Sequence, residues 1–204
     1  MARAIKAKAK TKPEKSRCAW VGTDELMVRY HDLEWGRSVH NDKKLFEFLI
    51  LESFQAGLSW RTILHKRENF RTAFAHFDPR KVAKFDKKKF DSLIQDVGII
   101  RNRLKISAAT NNAQRFLEIQ KGFGSFDAYV WSFSKGKRII NKPKSMRDIP
   151  TRSLLSDAMS KDMGQRGFKF RGTTICYAFM QAVGIVDDHV MGCGWKGEEI
   201  EKYS

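Results

Sequence analysis

The chain has 204 residues, of which 42% are hydrophobic and 12% aromatic, enough apolar material to close a core and too much for a disordered polypeptide. Lys and Arg outnumber Asp and Glu by 39 to 23, a formal charge of +16, and a surplus of that size points to a polyanionic partner or an anionic surface. No apolar run approaches the ~20 residues needed to span a bilayer, so a membrane protein is not expected.

Part of the charge is local. Arg3, Lys6, Lys8, Lys10, Lys12, Lys15 and Arg17 face only Glu14 in the first stretch, whose Lys/Ala composition reads as a solvated arm. Leu45, Phe48, Leu49, Glu52 and Ala56 then recur at helical spacing with Asn41 or Asp42 as N-cap, the first convincing helix. A second helix is predicted over Thr62 to Phe74. Asp78-Pro79 starts a third, and Phe90, Leu93, Ile94 and Val97 form the apolar stripe of a fourth. Gly98 separates that stripe from a helix starting near Arg101, whose Leu104, Ala108 and Phe116 are expected to face a core. Further helices are predicted at Phe126 to Phe133, Ser153 to Met163 and Thr173 to Val183, the last stopped by Gly184. Only Arg138 to Ile140 looks strand-like, and Pro143 with Pro150 mark a connecting loop. The fold class is all-α.

Three constellations carry chemical meaning. Cys18 and His31 lie near one end of the chain, and His189 and Cys193 near the other, spaced i, i+4 as if on one face of a helical turn. They are either two unrelated pairs or a tetrahedral zinc site, and four protein ligands would leave no open position, making the zinc a staple and not a catalyst. His40, His65 and His76 read as surface groups and Cys176 as core.

Glu52 puts a carboxylate on a face otherwise built of Leu, Phe and Ala. A buried acid is costly, so it is paired, ligating or functional unless the helix register turns it to solvent. Trp20, Tyr30, Trp35 and Trp60 cluster around it in sequence, and a carboxylate with aromatic walls suits a flat cationic ring. Last, Gly98 in a tight hairpin before Arg101, Arg103 and Lys105 is a candidate phosphate contact, and Lys169, Arg171 and Thr173 at another helix start form a second. The bland alternative is an ordinary helix connection with solvated cations.

Arg17-Cys18-Ala19-Trp20, Tyr30-His31-Asp32-Leu33-Glu34-Trp35-Gly36, Leu51-Glu52-Ser53-Phe54-Gln55-Ala56-Gly57-Leu58-Ser59-Trp60 and Asp188-His189-Val190-Met191-Gly192-Cys193 occur in that order. Together with Val97-Gly98-Ile99-Ile100-Arg101 they resemble the type I 3-methyladenine DNA glycosylases over Arg17 to Cys193. The resemblance implies a helix-hairpin-helix fold, with one structural Zn2+ per chain held by Cys18, His31, His189 and Cys193 joining the N- and C-terminal segments. Glu52 would be the catalytic and base-binding group, with Tyr30 and Trp60 as stacking walls, Trp20 lining the pocket and the Gly98 hairpin anchoring DNA. The expected organisation is a basic tail over 1–16, one glycosylase domain of two helical lobes sharing a cleft over 17–195, and a C-terminal tail over 196–204.

The implied activity is hydrolytic release of 3-methyladenine from double-stranded DNA containing alkylated bases, by a monomer in the cytoplasm associated with the nucleoid. No lysine stands out as an imine-forming nucleophile, so lyase activity is not expected. Asn111 to Gln120 holds no aspartate to activate water, only Glu118. One departure is Ser53, where some relatives have Gly. The competing reading is a non-catalytic, zinc-stapled DNA-binding protein, against which Glu52 among aromatics speaks; a zinc hydrolase would need an open metal position.

Overall fold

The computed structural model describes residues 15–198; of the expected tails at 1–16 and 196–204, residues 1–14 and 199–204 lie outside the described residues. The architecture is predominantly helical, as the periodicity predicts. Asp24 caps α1 (Glu25–Leu33) and Asn41 caps α2 (Asp42–Gln55), each side-chain oxygen accepting first-turn backbone N–H groups. Ser59 caps α3 (Trp60–His65), which is followed by α4 (Arg67–Ala73), α5 (Pro79–Val82) and α6 (Lys87–Gln95). The long α7 (Arg103–Phe123), α8 (Phe126–Ser132), α9 (Leu154–Gln165) and α10 (Thr173–Ala182) complete the set.

Every residue of α2 from Leu45 to Phe54 is buried, so this helix is the axis of the core. It packs against α3, α7, α8 and α10, while α9 lies on α10 and α5 and α6 lie on α7. The strand-like signal near Arg138 is real but tiny: β1 (Ile139–Ile140) pairs in parallel with β2 (Val186–Asp187), in register Ile139 to Val186. Gly184, at φ +74°, ends α10 where a Cβ would come within 2.2 Å of the Arg37 carbonyl oxygen, so no other residue fits that crossing.

Several expectations need correction. The helix expected over Thr62 to Phe74 is two helices, because Lys66 takes φ −97° and ψ 0° and breaks the ladder. Val97 and Leu104 are each 73% exposed and not in the core. Val97 follows the end of α6 and Leu104 lies in the first turn of α7, which starts at Arg103; the expected Ala108 and Phe116 are buried, together with Ile106, Ala109 and Ala113. His189 and Cys193 are not on a helical turn: β2 precedes them and the segment is extended and then a turn.

Residues on either side of 17–195 also hydrogen-bond to the packed body. The Gly194 N–H donates to the Ser16 carbonyl at 2.9 Å, the Gly197 N–H to Asp187 at 2.8 Å, and Lys196 Nζ to the His189 carbonyl at 2.7 Å. Chain from both sides is thereby laced together beside β2.

Candidate active site

A cleft of about 220 Å3 opens between α1, α2, the start of α3 and α10. Tyr30 comes from α1, Glu52 and Gln55 from α2, Trp60 from α3, and Ala178 and Gln181 from α10. Trp20, Trp35, Met146 and Ile149 complete the lining. The volume suits a single flat ring system, being smaller than the roughly 300–1,000 Å3 of sites for drug-sized ligands. Tyr30 and Trp60 stand with ring centroids 5.0 Å apart, and Trp20 meets Trp35 edge-on at 5.1 Å. Ser59, capping α3 through a bond to the Thr62 N–H, fixes where Trp60 leaves the helix.

Glu52 is 3% exposed, and its Oε2 has no hydrogen-bond partner among the described residues. Burial pushes its carboxyl up to about 8. The buried Trp60 Nε1 is likewise without a partner. An unmatched acceptor and an unmatched donor thus belong to side chains of one cleft, whose other walls include the rings of Trp20, Tyr30 and Trp35. Burial, and then the Glu52 carboxylate, push the Tyr30 phenol well above its ordinary value, so it stays neutral. A cationic ring entering the cleft would supply the charge that Glu52 lacks.

The sequence-predicted metal residues converge on the other side of the same tryptophans. Ligand atoms of Cys18, His31 and Cys193 lie within 4.8 Å of one another, all buried. His31 Nε2 and Cys193 Sγ are 3.5 Å apart, close to the roughly 3.6 Å edge of a tetrahedral site with typical zinc–nitrogen and zinc–sulfur bonds. His189 lies outside that three-residue group, but its ring centroid is 4.8 Å from that of His31, and its buried Nε2 is without a partner among the described residues. Asp32 holds His31 Nδ1 at 2.7 Å and Asp187 holds His189 Nδ1 at 2.8 Å. A carboxylate on Nδ1 selects the tautomer that leaves Nε2 free to ligate. Burial pushes the Cys18 thiol up to about 12, with Cys193 adding to it, so a thiolate there needs a cation beside it. The donor set therefore fits Zn2+.

The basic residues are less concentrated than their spacing implies. Arg101, Arg103 and Lys169 are exposed, and Lys169 with Phe170 faces Leu104, Ser107, Ala108 and Asn111 of α7 across a groove of about 440 Å3. The Lys169 backbone is clamped by the buried Asn112, which donates to its carbonyl at 2.9 Å and accepts its N–H at 2.8 Å. Gly98 sits in the predicted turn, but its N–H is committed to Asp96 at 2.8 Å. Thr173 gives its hydroxyl to Asp157, and the Arg171 guanidinium lies over Gly164. Lys105, expected with the exposed cations, is 6% exposed and donates to the Phe54 and Ala56 carbonyls at the end of α2.

The family model for methyladenine glycosylase matches residues 20–196. The chain belongs to that family. It is 50% identical over 177 residues to DNA-3-methyladenine glycosylase 1 of Escherichia coli (strain K12), covering 87% of this chain and 95% of the relative. It is 45% identical over 181 residues to DNA-3-methyladenine glycosylase of Haemophilus influenzae, covering 89% and 98%. A solved variant of 3-methyladenine DNA glycosylase I in complex with 3-methyladenine superimposes with a TM-score of 0.86 at 37% identity, covering 89% of this chain and 98% of the other.

For a methyladenine glycosylase, the cleft holds residues that sequence reasoning missed: Gln55, Met146, Ile149, Ala178 and Gln181. Met146 and Ile149 sit in the proline-bounded loop, where no periodicity marks an inward face. Gln181 did leave a signal, an amide inside the otherwise apolar run Ala178-Phe-Met and Ala182-Val183. Ser53, the departure from some relatives, donates to the Leu49 carbonyl at 2.8 Å and to the Phe170 carbonyl at 3.4 Å, so its hydroxyl is absorbed by backbone behind the pocket.

Proposed function

We propose that this chain is a DNA-3-methyladenine glycosylase of base-excision repair, which binds an alkylated adenine flipped out of duplex DNA and releases it by hydrolysis of its N-glycosidic bond. The observation that carries the proposal is Glu52, an unpaired carboxyl buried beside Trp20, Tyr30, Trp35 and Trp60. The names of the relatives, and the neighbour bound to 3-methyladenine, support it.

Methylation at N3 makes adenine cationic and weakens its bond to the sugar before any protein acts. Selection then does most of the work. Burial holds the carboxyl up near 8, so at neutral pH Glu52 is mostly protonated in the free protein, and a cationic base favours its ionised form where a neutral one does not. Flipping costs least for a damaged nucleotide, which adds to the discrimination. Glu118, the one acid in the stretch after the hairpin, is exposed and paired with Arg115 at 2.9 Å, and has no access to the cleft. Water therefore attacks a sugar already activated by its leaving group, and no amine forms an imine, so strand cleavage is not expected.

In this reading the turn at Gly98, with Arg101 and Arg103, and the segment of Lys169, Arg171 and Thr173 flank the groove at the start of α7 and meet phosphates, in a helix-hairpin-helix arrangement. Cys18, His31, His189 and Cys193 hold one structural zinc that ties residues 17–195 into a single working unit, acting as a monomer. Among the described residues no helix is long and apolar enough to cross a membrane.

The test is incubation with methylated DNA and chromatography of the released bases. Wild type is expected to release 3-methyladenine, and Glu52→Ala to lose about 10²-fold, the scale for losing a hydrogen bond to a charged partner. No release by wild type sinks the activity; equal release by Glu52→Ala sinks the pocket assignment. Metal analysis is expected to find close to one zinc per chain, and His189→Ala to lower that content.

A further inference from the structure

Gln181 is held by a buried acid that belongs to neither the cleft nor the metal ligands. Its Nε2 donates to Asp188 Oδ2 at 2.7 Å. Asp188 is 0% exposed and also accepts from the Tyr177 hydroxyl and from Asn141 Nδ2, each at 2.7 Å. A carboxylate that gathers three donors accepts only, so it dictates which end of the Gln181 amide faces it. The nitrogen is turned to Asp188 and the carbonyl oxygen away from it. The Gln181 backbone is pinned as well, its carbonyl accepting the Gly36 N–H at 2.9 Å.

The carbonyl Oε1 of Gln181 has no donor among the described residues and is not sealed from solvent. Since Gln181 lines the cleft, that oxygen is available to whatever fills it. We infer that Gln181 Oε1 is a second acceptor for the bound base, taking an N–H from the exocyclic amino group of an alkylated adenine, with Asp188 as the positioning residue that keeps it an acceptor. The inference rests on the cleft being the base site, as proposed above.

The consequence is discrimination between purines. An alkylated guanine carries a carbonyl oxygen where adenine carries the amino group, so two acceptors would meet in a desolvated site with neither satisfied. An unpaired buried polar group is the strongest source of selectivity available to such a pocket. Glu52 reads the charge that both alkylated purines share, whereas Gln181 reads the group that separates them.

The experiment uses the full chain and DNA carrying both 3-methyladenine and 3-methylguanine, with release of each followed for wild type, Gln181→Leu and Gln181→Met. Both substitutions keep the bulk of the side chain and remove its acceptor. The expected result is a fall of about tenfold in 3-methyladenine release with 3-methylguanine release unchanged or raised, narrowing the ratio in both variants. A variant in which the two rates fall by one common factor, or in which the ratio stays at the wild-type value, overturns the inference. Failure of the base-site reading looks different, since wild type itself would then release no 3-methyladenine.

Discussion

Glu47 and Glu52 sit on the same helix, at 6% and 3% exposure, yet their carboxyls are shifted in opposite directions. Burial raises both. At Glu47 the raise is overcome by Arg67, Lys44 and Arg71, with Arg67 Nε at 2.6 Å, and the group stays ionised below the ordinary carboxylate range. Arg67 also grips Glu34 through two bonds of 2.8 and 2.7 Å, and the combined cations hold Glu34 down to about 2 against its own burial. Among the described residues Glu52 meets no cation, and burial raises it to about 8. Partner supply, and not depth, separates a structural acid from one left waiting for a ligand.

The largest expected effect breaks that contrast from the Glu52 side. Its folded value lies above its unfolded one, so between about pH 4.5 and 8 the unfolded chain gives up a proton that the folded chain keeps, and stability falls as pH rises through that window. The full loss is of order 5 kcal/mol. Glu52→Gln is expected to abolish it: the variant should match wild type near pH 4.5 and melt progressively higher than it toward pH 8.5. A gap between the two melting curves that does not grow with pH refutes the buried, unpaired state of Glu52.

Next comes Arg67→Met, which leaves the buried Glu47 and the partly buried Glu34 with only Lys44 and Arg71 nearby. Removing one partner of a buried ionic network costs about 3–5 kcal/mol, measurable by urea unfolding. Glu34 works in the opposite sense to Glu52: its stabilisation is present above the ordinary carboxylate value and is lost as pH falls toward about 2, and the variant should lack that acid limb. The smallest effect is expected for Arg71→Met. Arg71 is one-third exposed and Glu47 keeps two other cations, so the change should stay within about 1 kcal/mol.

What was legible in the chain follows the strength of local signals. The α2 helix declares itself through Asn41 and its apolar stripe, and Glu52 stands out on that stripe as the wrong residue type. The α1 helix was missed because Met27, Tyr30 and His31 point inward while Leu26 and Leu33 are exposed, so its pattern is blurred. Leu104 was misplaced because it falls in the exposed first turn of α7, although Ala108 and Phe116 of the same expected stripe are buried. The cysteines and histidines suggested zinc by type, but the bend that brings His189 and Cys193 round depends on a two-residue strand pairing that no local pattern encodes. The role of Lys105 was hidden for a similar reason: a lysine beside arginines reads as surface until the end of α2 is seen to need its donors.

The clustering of Cys18 and His31 with His189 and Cys193 also sets an order of events during synthesis. A ribosome makes the first pair early and the second pair late, and most of the helical body lies between them. A nascent chain therefore carries half of this Cys/His cluster while the helices between the two pairs assemble, and only the later pair completes it. The contact between His31 and Cys193 spans 162 residues, so it is among the slowest kinds of contact to form. Closing it inspects the finished product, since a chain that stops before His189 has made the helices that build the cleft but cannot fasten its two ends.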